Sequence, residues 1–322
     1  MKKKDLSQMS KKIIFFGTPS FAVKCLEKMV DENLNVIAVV TSPDRPAGRG
    51  RKIRTSAVKQ FSKTQKITLL QPSNLKDPKF IKKLIDLEPD LMVVVAFRML
   101  PKIVWSIPSR GTFNLHASLL PQYKGSAPIN WAIINQEKYS GVTTFLINEE
   151  IDTGSILLQK KVTIDKKETA GSLQDKLAIK GSELICETVK GIFEETIRPQ
   201  KQLAKGTEKI APKLNKENVF INWNKSLEEI QAKIKGLSPY PGAKFNWIEN
   251  QKTSVIKIFD AEIIKEKHKF DPQRVIIGVK KILVTHQSGF LNCKILQFPN
   301  KKQLGVVDLL NGRSFSDKVK VS

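Results

Sequence analysis

The chain is poor in the residues that staple or metallate proteins. Among 322 residues there are three cysteines, Cys25, Cys186 and Cys293, and three histidines, all far apart. No pair has disulfide-framework or zinc-ligand spacing, which argues for a reducing compartment and against a metalloenzyme. Long apolar runs are also missing. The polar, basic start MKKKDLSQMSKK is followed only by Ile13 to Phe16, too short for a signal peptide and far below the roughly 18 residues of a membrane span. The expectation is a cytoplasmic protein without a membrane segment. Glycine is scarce where a dinucleotide site would need it, since Gly17-Thr18-Pro19-Ser20-Phe21-Ala22 holds one glycine and not the G-x-G-x-x-G fingerprint. That disfavours a nicotinamide-dependent oxidoreductase. Acidic residues are outnumbered, 31 against 55 Lys and Arg, for a net charge of +24. Such a surface attracts polyanions. Abundant lysine explains part of this excess, but the arginines also concentrate in one loop.

What is present first reads as alternating strands and helices. Lys12 to Phe16 is a short apolar run leading into Gly17-Thr18-Pro19, a buried strand entering a helix with Pro19 at the first helical position. Phe21, Cys25 and Met29, with Ala22, Leu26 and Val30, then form one apolar helical face. Asn35 to Thr41 reads as a second strand, Asp77 to Leu87 as a helix, and Asp90 to Phe97 as a strand buried on both faces. This βαβ alternation predicts an α/β domain with a mostly parallel sheet. A long helix is expected over about Ala170 to Glu194, followed by a polar, basic stretch, Thr196 to Leu214, of linker composition. Ser226-Leu-Glu-Glu229 is a capping box, and the short alternating runs beyond Gly242 predict a small β-barrel. The expected domains are 1–195, a linker at 196–214, and 215–322.

The chemistry concentrates in Gly111 to Trp131, GTFNLHASLLPQYKGSAPINW. Asn114 and His116 sit two apart near a strand end, so they face one side, beyond which ligands of open α/β sheets bind. An amide donor beside an imidazole can hold the oxyanion of an acyl transfer. Alone, such a pair more often satisfies loop backbone. A strand over Thr143 to Ile147, followed by Asn148-Glu149-Glu150-Ile151-Asp152-Thr153-Gly154, adds a third element if the turn brings Asp152 near His116. An attacking α-amine, with a pKa of roughly 7.7–8.0, is largely protonated at neutral pH. A carboxylate can deprotonate it or hold His116 protonated.

In FNLHASLLP followed by IDTG, with GTPSFA near the start, PDRPAGRG at 43–50 and GLSPYPGA at 236–243, the chain resembles the methionyl-tRNA formyltransferases. The resemblance spans nearly the whole sequence. It implies a Rossmann-like catalytic domain, a C-terminal OB-fold-like barrel that binds tRNA, 10-formyltetrahydrofolate as formyl donor, no metal, and transfer to the amine of initiator methionyl-tRNA. By motif, Asn114, His116 and Asp152 are the catalytic trio, and Ser118, Leu119, Leu120 and Pro121 contact the folate. The basic loop from Asp44 to Arg54 matches the family's tRNA-contacting loop, so Arg45, Arg49, Arg51 and Lys52 are expected on the acceptor stem of a tRNA bound by a monomer. Arginine forks suit phosphate, and glycines at 48 and 50 let the backbone approach it. One departure is the stretch Phe97-Arg98-Met99 before Leu100-Pro101, a residue shorter than is common in the family and on the border of the expected pterin pocket. The rivals are another folate-dependent formyltransferase or hydrolase with the same trio, and a nonenzymatic RNA-binding protein; the intact trio argues against the latter.

Overall fold

In the computed structural model the described residues are 11–47, 52–203, 206–316 and 318–322. The chain divides into two compact units that interleave in sequence. The first comprises 1–125, 140–163 and 174–210; the second comprises 126–139, 164–173 and 211–322.

In chain order the elements of the first half are β1 (Ile13–Gly17), α1 (Ser20–Asp31), β2 (Val36–Val40), β3 (Arg45–Ala47), β4 (Lys52–Arg54), α2 (Ala57–Thr64), β5 (Thr68–Leu70), α3 (Pro78–Asp86), β6 (Leu91–Val95), α4 (Lys102–Trp105), β7 (Thr112–His116) and β8 (Lys124–Gly125). Then come α5 (Pro128–Ile134), β9 (Tyr139–Leu146), β10 (Ile156–Thr163), α6 (Ala170–Phe193) and β11 (Ile210–Ala211).

The sheet of the first unit has the order β10-β9-β7-β6-β1-β2-β5. Its five strands from β7 to β5 are parallel, whereas β9 runs antiparallel to β7. Ile13, Ile14, Phe15 and Phe16 of β1 are at most 1% exposed, as expected of a parallel strand covered on both faces. The helix after it differs by one residue from the sequence expectation. Pro19 is the N-cap of α1 rather than its first residue, with extended backbone and a carbonyl that accepts from Ala22 and Val23. Proline serves there equally well, because its role is only to accept. Phe21, Ala22, Cys25, Leu26 and Met29 form the buried face.

α6 reaches the strand that carries the candidate site. A Cβ at Gly181 would stand 2.7 Å from a Leu115 methyl of β7, so a larger residue there would require Leu115 to shift. Thr188 of α6 also hydrogen-bonds Thr144 of β9 through their hydroxyls at 2.8 Å.

The second unit continues with α7 (Leu227–Gly236), β12 (Ala243–Glu249), β13 (Lys252–Ile264), β14 (Val275–Ile277), β15 (Ile282–His286), β16 (Gly289–Gln297), β17 (Leu304–Gly305), α8 (Val306–Gly312) and β18 (Val319–Val321). The antiparallel sheet order is β14-β15-β16-β13-β12-β18, with β17 on β16. Its ends meet where Arg274 pairs with Lys320 and the Val321 amide donates to the Gln273 carbonyl at 2.9 Å. The result is a nearly closed barrel around Phe245, Trp247, Ile256, Ile258, Val284 and Leu291. The Ser226–Glu229 capping box forms as the sequence predicts. α5 belongs to this unit, with Ile134 packed on the barrel core and the Asn130 amide donating to the Gly236 carbonyl at 2.8 Å.

Candidate functional site

The parallel strands β6 and β7 end side by side, and the antiparallel β9 returns past the end of β7 with His116 opposite Thr143 and Asn114 opposite Phe145. The end of β9 thus lies beside the start of β7, where the Ile147 amide donates to the Thr112 carbonyl at 2.8 Å, and the turn that follows brings Asp152 to His116. The His116 Nδ1 lies 3.7 Å from the Asp152 Oδ2, with both side chains largely buried. The Asp152 Oδ2 also accepts from the Gly125 amide at 2.9 Å.

The His116 Nε2 stands 2.8 Å from the Tyr123 carbonyl oxygen. A carbonyl only accepts, so Nε2 carries a hydrogen and donates. Nδ1 is the nitrogen left for other partners, and Asp152 at 3.7 Å lies beyond hydrogen-bond distance. The ring therefore presents one nitrogen, which accepts a proton when neutral and donates when charged. Asn114 is half-buried, and its side-chain amide has no hydrogen-bond partner among the described residues.

The Asp152 turn is tightly built. Asp152 sits in the left-handed region at φ 55°, which Asp tolerates better than most residues. A Cβ at Gly154 would lie 1.6 Å from the Leu146 carbonyl oxygen, so the turn depends on glycine there. The Thr153 hydroxyl and the Asn148 amide hydrogen-bond each other at 3.0 to 3.1 Å. Beside the turn is a cavity of about 520 Å³, lined by Lys124, Glu149, Glu150, Thr153, Lys201 and Gln202 among others. The Lys102 ammonium, 2.5 Å away, holds the Glu149 carboxyl below its ordinary range.

The segment from Ser118 to Pro121 is fixed from β9 and β10. The Thr143 hydroxyl donates to the Ser118 carbonyl at 2.6 Å and receives the Leu120 amide at 3.2 Å. The Gln159 amide donates to the Leu120 carbonyl at 2.8 Å and to the Thr143 hydroxyl at 2.9 Å. Ser118 and Leu120 are buried, whereas Leu119 and Pro121 are partly open.

The stretch from Phe97 to Leu100 is held by ring packing and by hydrogen bonds from Arg98. Phe97 packs edge-on against Phe16, with centroids 5.6 Å apart. Arg98 donates to the Ser73 carbonyl at 2.9 Å and to that of Pro72, tying the loop after β6 to the loop after β5. Desolvation and the nearby Arg45 lower its pKa from the ordinary arginine value.

In the basic loop, the Asp44 carboxylate accepts from Lys59 at 2.5 Å and from Gln71 at 3.1 Å. Both interactions, led by Lys59, hold its pKa below the ordinary aspartate value. Arg45 is exposed on β3, which pairs with β4 so that Arg45 is opposite Arg54. Arg49 and Arg51 lie outside the described residues, and Lys52 is described only in its backbone. Among the described residues no group of three or more metal-ligating side chains occurs, and no helix is long and apolar enough to cross a membrane.

Sequence reasoning missed the residues that frame the site, namely Tyr123, Thr143, Gln159 and Gln202. Thr143, Gln159 and Gln202 act through contacts 16 to 50 residues away, and Tyr123, seven residues from His116, acts through its backbone carbonyl, so no side-chain spacing marks them.

The pattern of the formyl transferase family matches residues 11–189, and that of the formyl transferase C-terminal domain matches 213–314. A methionyl-tRNA formyltransferase of Flavobacterium johnsoniae is 47% identical over 310 residues, covering 96% of this chain and 98% of that protein. One of Bacteroides thetaiotaomicron is 45% identical over 327 residues, with both chains fully covered. Among solved structures, a sugar 3N-formyl transferase crystallised in the presence of dTDP and 5-N-formyl-THF superposes with a TM-score of 0.64 at 22% identity, covering 90% of this chain and 98% of that one. At that identity the likeness speaks for the fold alone. On the length and identity of the match to its relatives, this chain belongs to the methionyl-tRNA formyltransferase family.

Proposed function

We propose that the protein moves a formyl group from a folate onto the α-amine of methionyl-tRNA, with 10-formyltetrahydrofolate as the donor and the initiator species as the acceptor. The observation that carries the reading is the approach of Asp152 to within 3.7 Å of His116, with Asn114 two residues before His116 on the same strand, in a chain of this family. The donor set fits a formyl oxygen: the Asn114 amide is unpaired among the described residues, and the His116 Nδ1 lies two residues further along the strand. As the amine attacks the formyl carbon, both donate to the oxygen that gains charge, and collapse of the tetrahedral intermediate breaks the bond from that carbon to N10 of the folate, so that tetrahydrofolate leaves. Asp152 takes the amine proton or keeps His116 charged through the step. Ser118, Leu119, Leu120 and Pro121 border the folate, with Leu119 and Pro121 the more open pair. Arg45, Arg49, Arg51 and Lys52 bind acceptor-stem phosphates. The protein acts in the cytoplasm as a monomer.

The test is incubation with formyl-labelled 10-formyltetrahydrofolate and a panel of acceptors: methionyl initiator tRNA, uncharged tRNA, amino sugars and water alone. Label appearing only on the charged tRNA is the expected result. Transfer to an amino sugar, or release of formate at the same rate without any acceptor, overturns it.

A further inference from the structure

Gln202 lies in the stretch whose composition reads as a linker, yet it is 9% exposed. Its Nε2 donates to the Asp152 carbonyl at 2.9 Å and to the Gly154 carbonyl at 2.9 Å. Both amide hydrogens thus go to the two ends of the catalytic turn. Its Oε1 is buried and has no hydrogen-bond partner among the described residues. A buried acceptor without a donor is unfavourable, and an apolar side chain of this length would avoid it. What the amide supplies in return is the pair of donors.

We propose that Gln202 is a positioning residue that sets where the Asp152 carboxylate stands, a role resting on the trio assigned above. Residue 200 is itself fixed, since Gln200 and Ile156 exchange backbone hydrogen bonds at 2.7 and 2.8 Å. The chain therefore passes the start of β10 in a set register, and two residues later its side chain meets the turn. Asp152 is left-handed and Gly154 is pressed on the Leu146 carbonyl, so the carbonyls of 152 and 154 find their donor in Gln202. Fixing both orients the backbone from 152 to 154. The Asp152 Oδ2 is then delivered to the Gly125 amide and to the His116 Nδ1.

The experiment is a double-mutant cycle on the full chain. Gln202→Met keeps length but removes both donors, Gln202→Glu keeps shape but only accepts, and each is combined with Asp152→Asn. Turnover and KM for both substrates are measured alongside thermal unfolding. Gln202→Met is expected to lower turnover by roughly 10- to 100-fold, the effect of a small displacement at a reacting group, with each KM within about threefold of wild type. In the Asp152→Asn background the same change is expected to cost less than about threefold, because the carboxylate it positions is gone. Turnover within about twofold of wild type, or an equal loss in both backgrounds, overturns the proposal. If Gln202→Met does not unfold cooperatively, Gln202→Glu is read in its place; if neither does, Gln202 holds the fold and not the carboxylate, and the proposal falls. Wild-type chain that transfers no formyl to methionyl-tRNA refutes the functional reading, whereas transfer that is indifferent to Gln202 refutes only this role.

Discussion

Asn114 and His116 share a strand but not an environment. The asparagine amide has no partner among the described residues, whereas one histidine nitrogen is committed to the Tyr123 carbonyl. Removing either should reduce turnover by about a hundredfold or more, the usual consequence of losing an oxyanion donor. Binding of folate and tRNA should change far less. Steady-state kinetics of Asn114→Ala and His116→Ala check this, and near-normal turnover in either variant removes that residue from the mechanism. Asp152→Asn retains size and can still hydrogen-bond, but it accepts no proton, so severe loss with normal unfolding is expected across neutral pH. Asn-x-His on a strand end and Asp-Thr-Gly after the next strand are local patterns that stand out in the sequence, and the family resemblance implies their roles. Gln202 was not, since its partners are 50 and 48 residues away and its neighbours are the polar, basic residues of a connecting segment.

Elements that are apolar on both faces, such as β1 and β6, could be read directly, and so could α6 and the barrel strands with clear alternation. β10 could not. Its sequence ILLQKKVT alternates weakly, with only Leu157 and Val162 buried, because it lies at the edge of the sheet. α5 is equally obscure, a short helix whose packing partner α7 lies about a hundred residues on. At this scale the closest approach is the most fragile. Gly154→Ala places a methyl on the Leu146 carbonyl and should lower the unfolding midpoint and the activity together. α1 and α6 are joined by an ion pair. Lys190 at 2.6 Å and Lys28 at 3.1 Å flank the Glu32 carboxylate, and Lys190 foremost lowers its pKa. A carboxyl lowered on folding adds stability above its unfolded pKa of about 4.3 and loses it as pH falls through the folded value. Glu32→Gln should therefore be less stable than wild type by no more than about 1 kcal/mol near neutrality. That gap should close as pH falls below about 4, as urea unfolding at several pH values would record.

Across the whole molecule the charge of +24 makes polyanion binding strongly dependent on salt. If the basic loop sits on phosphates, Arg49→Ala should flatten the slope of log affinity for tRNA against log salt by about one contact. Arg49→Lys should recover only part of the affinity, lacking the bidentate fork. Coincident lines for wild type and both variants would reduce the loop to solvated surface. The interleaving of the two units was invisible in the sequence, because composition marks connections and cannot show which core a short segment joins. Residues 126–139 and 164–173 lie before the supposed linker yet belong with 211–322. The three thiols follow the same division, with Cys25 and Cys186 in the first unit and Cys293 in the second. All are buried, and desolvation raises their pKa values, to about 12 for Cys186 and Cys293. A thiol so far above physiological pH is barely reactive in the closed state and is alkylated only when its surroundings open. The protein thus carries its own clocks: the times at which the three sites label report how often each unit breathes, with no engineered probe, and a bound substrate that steadies one unit should slow only the clocks within it.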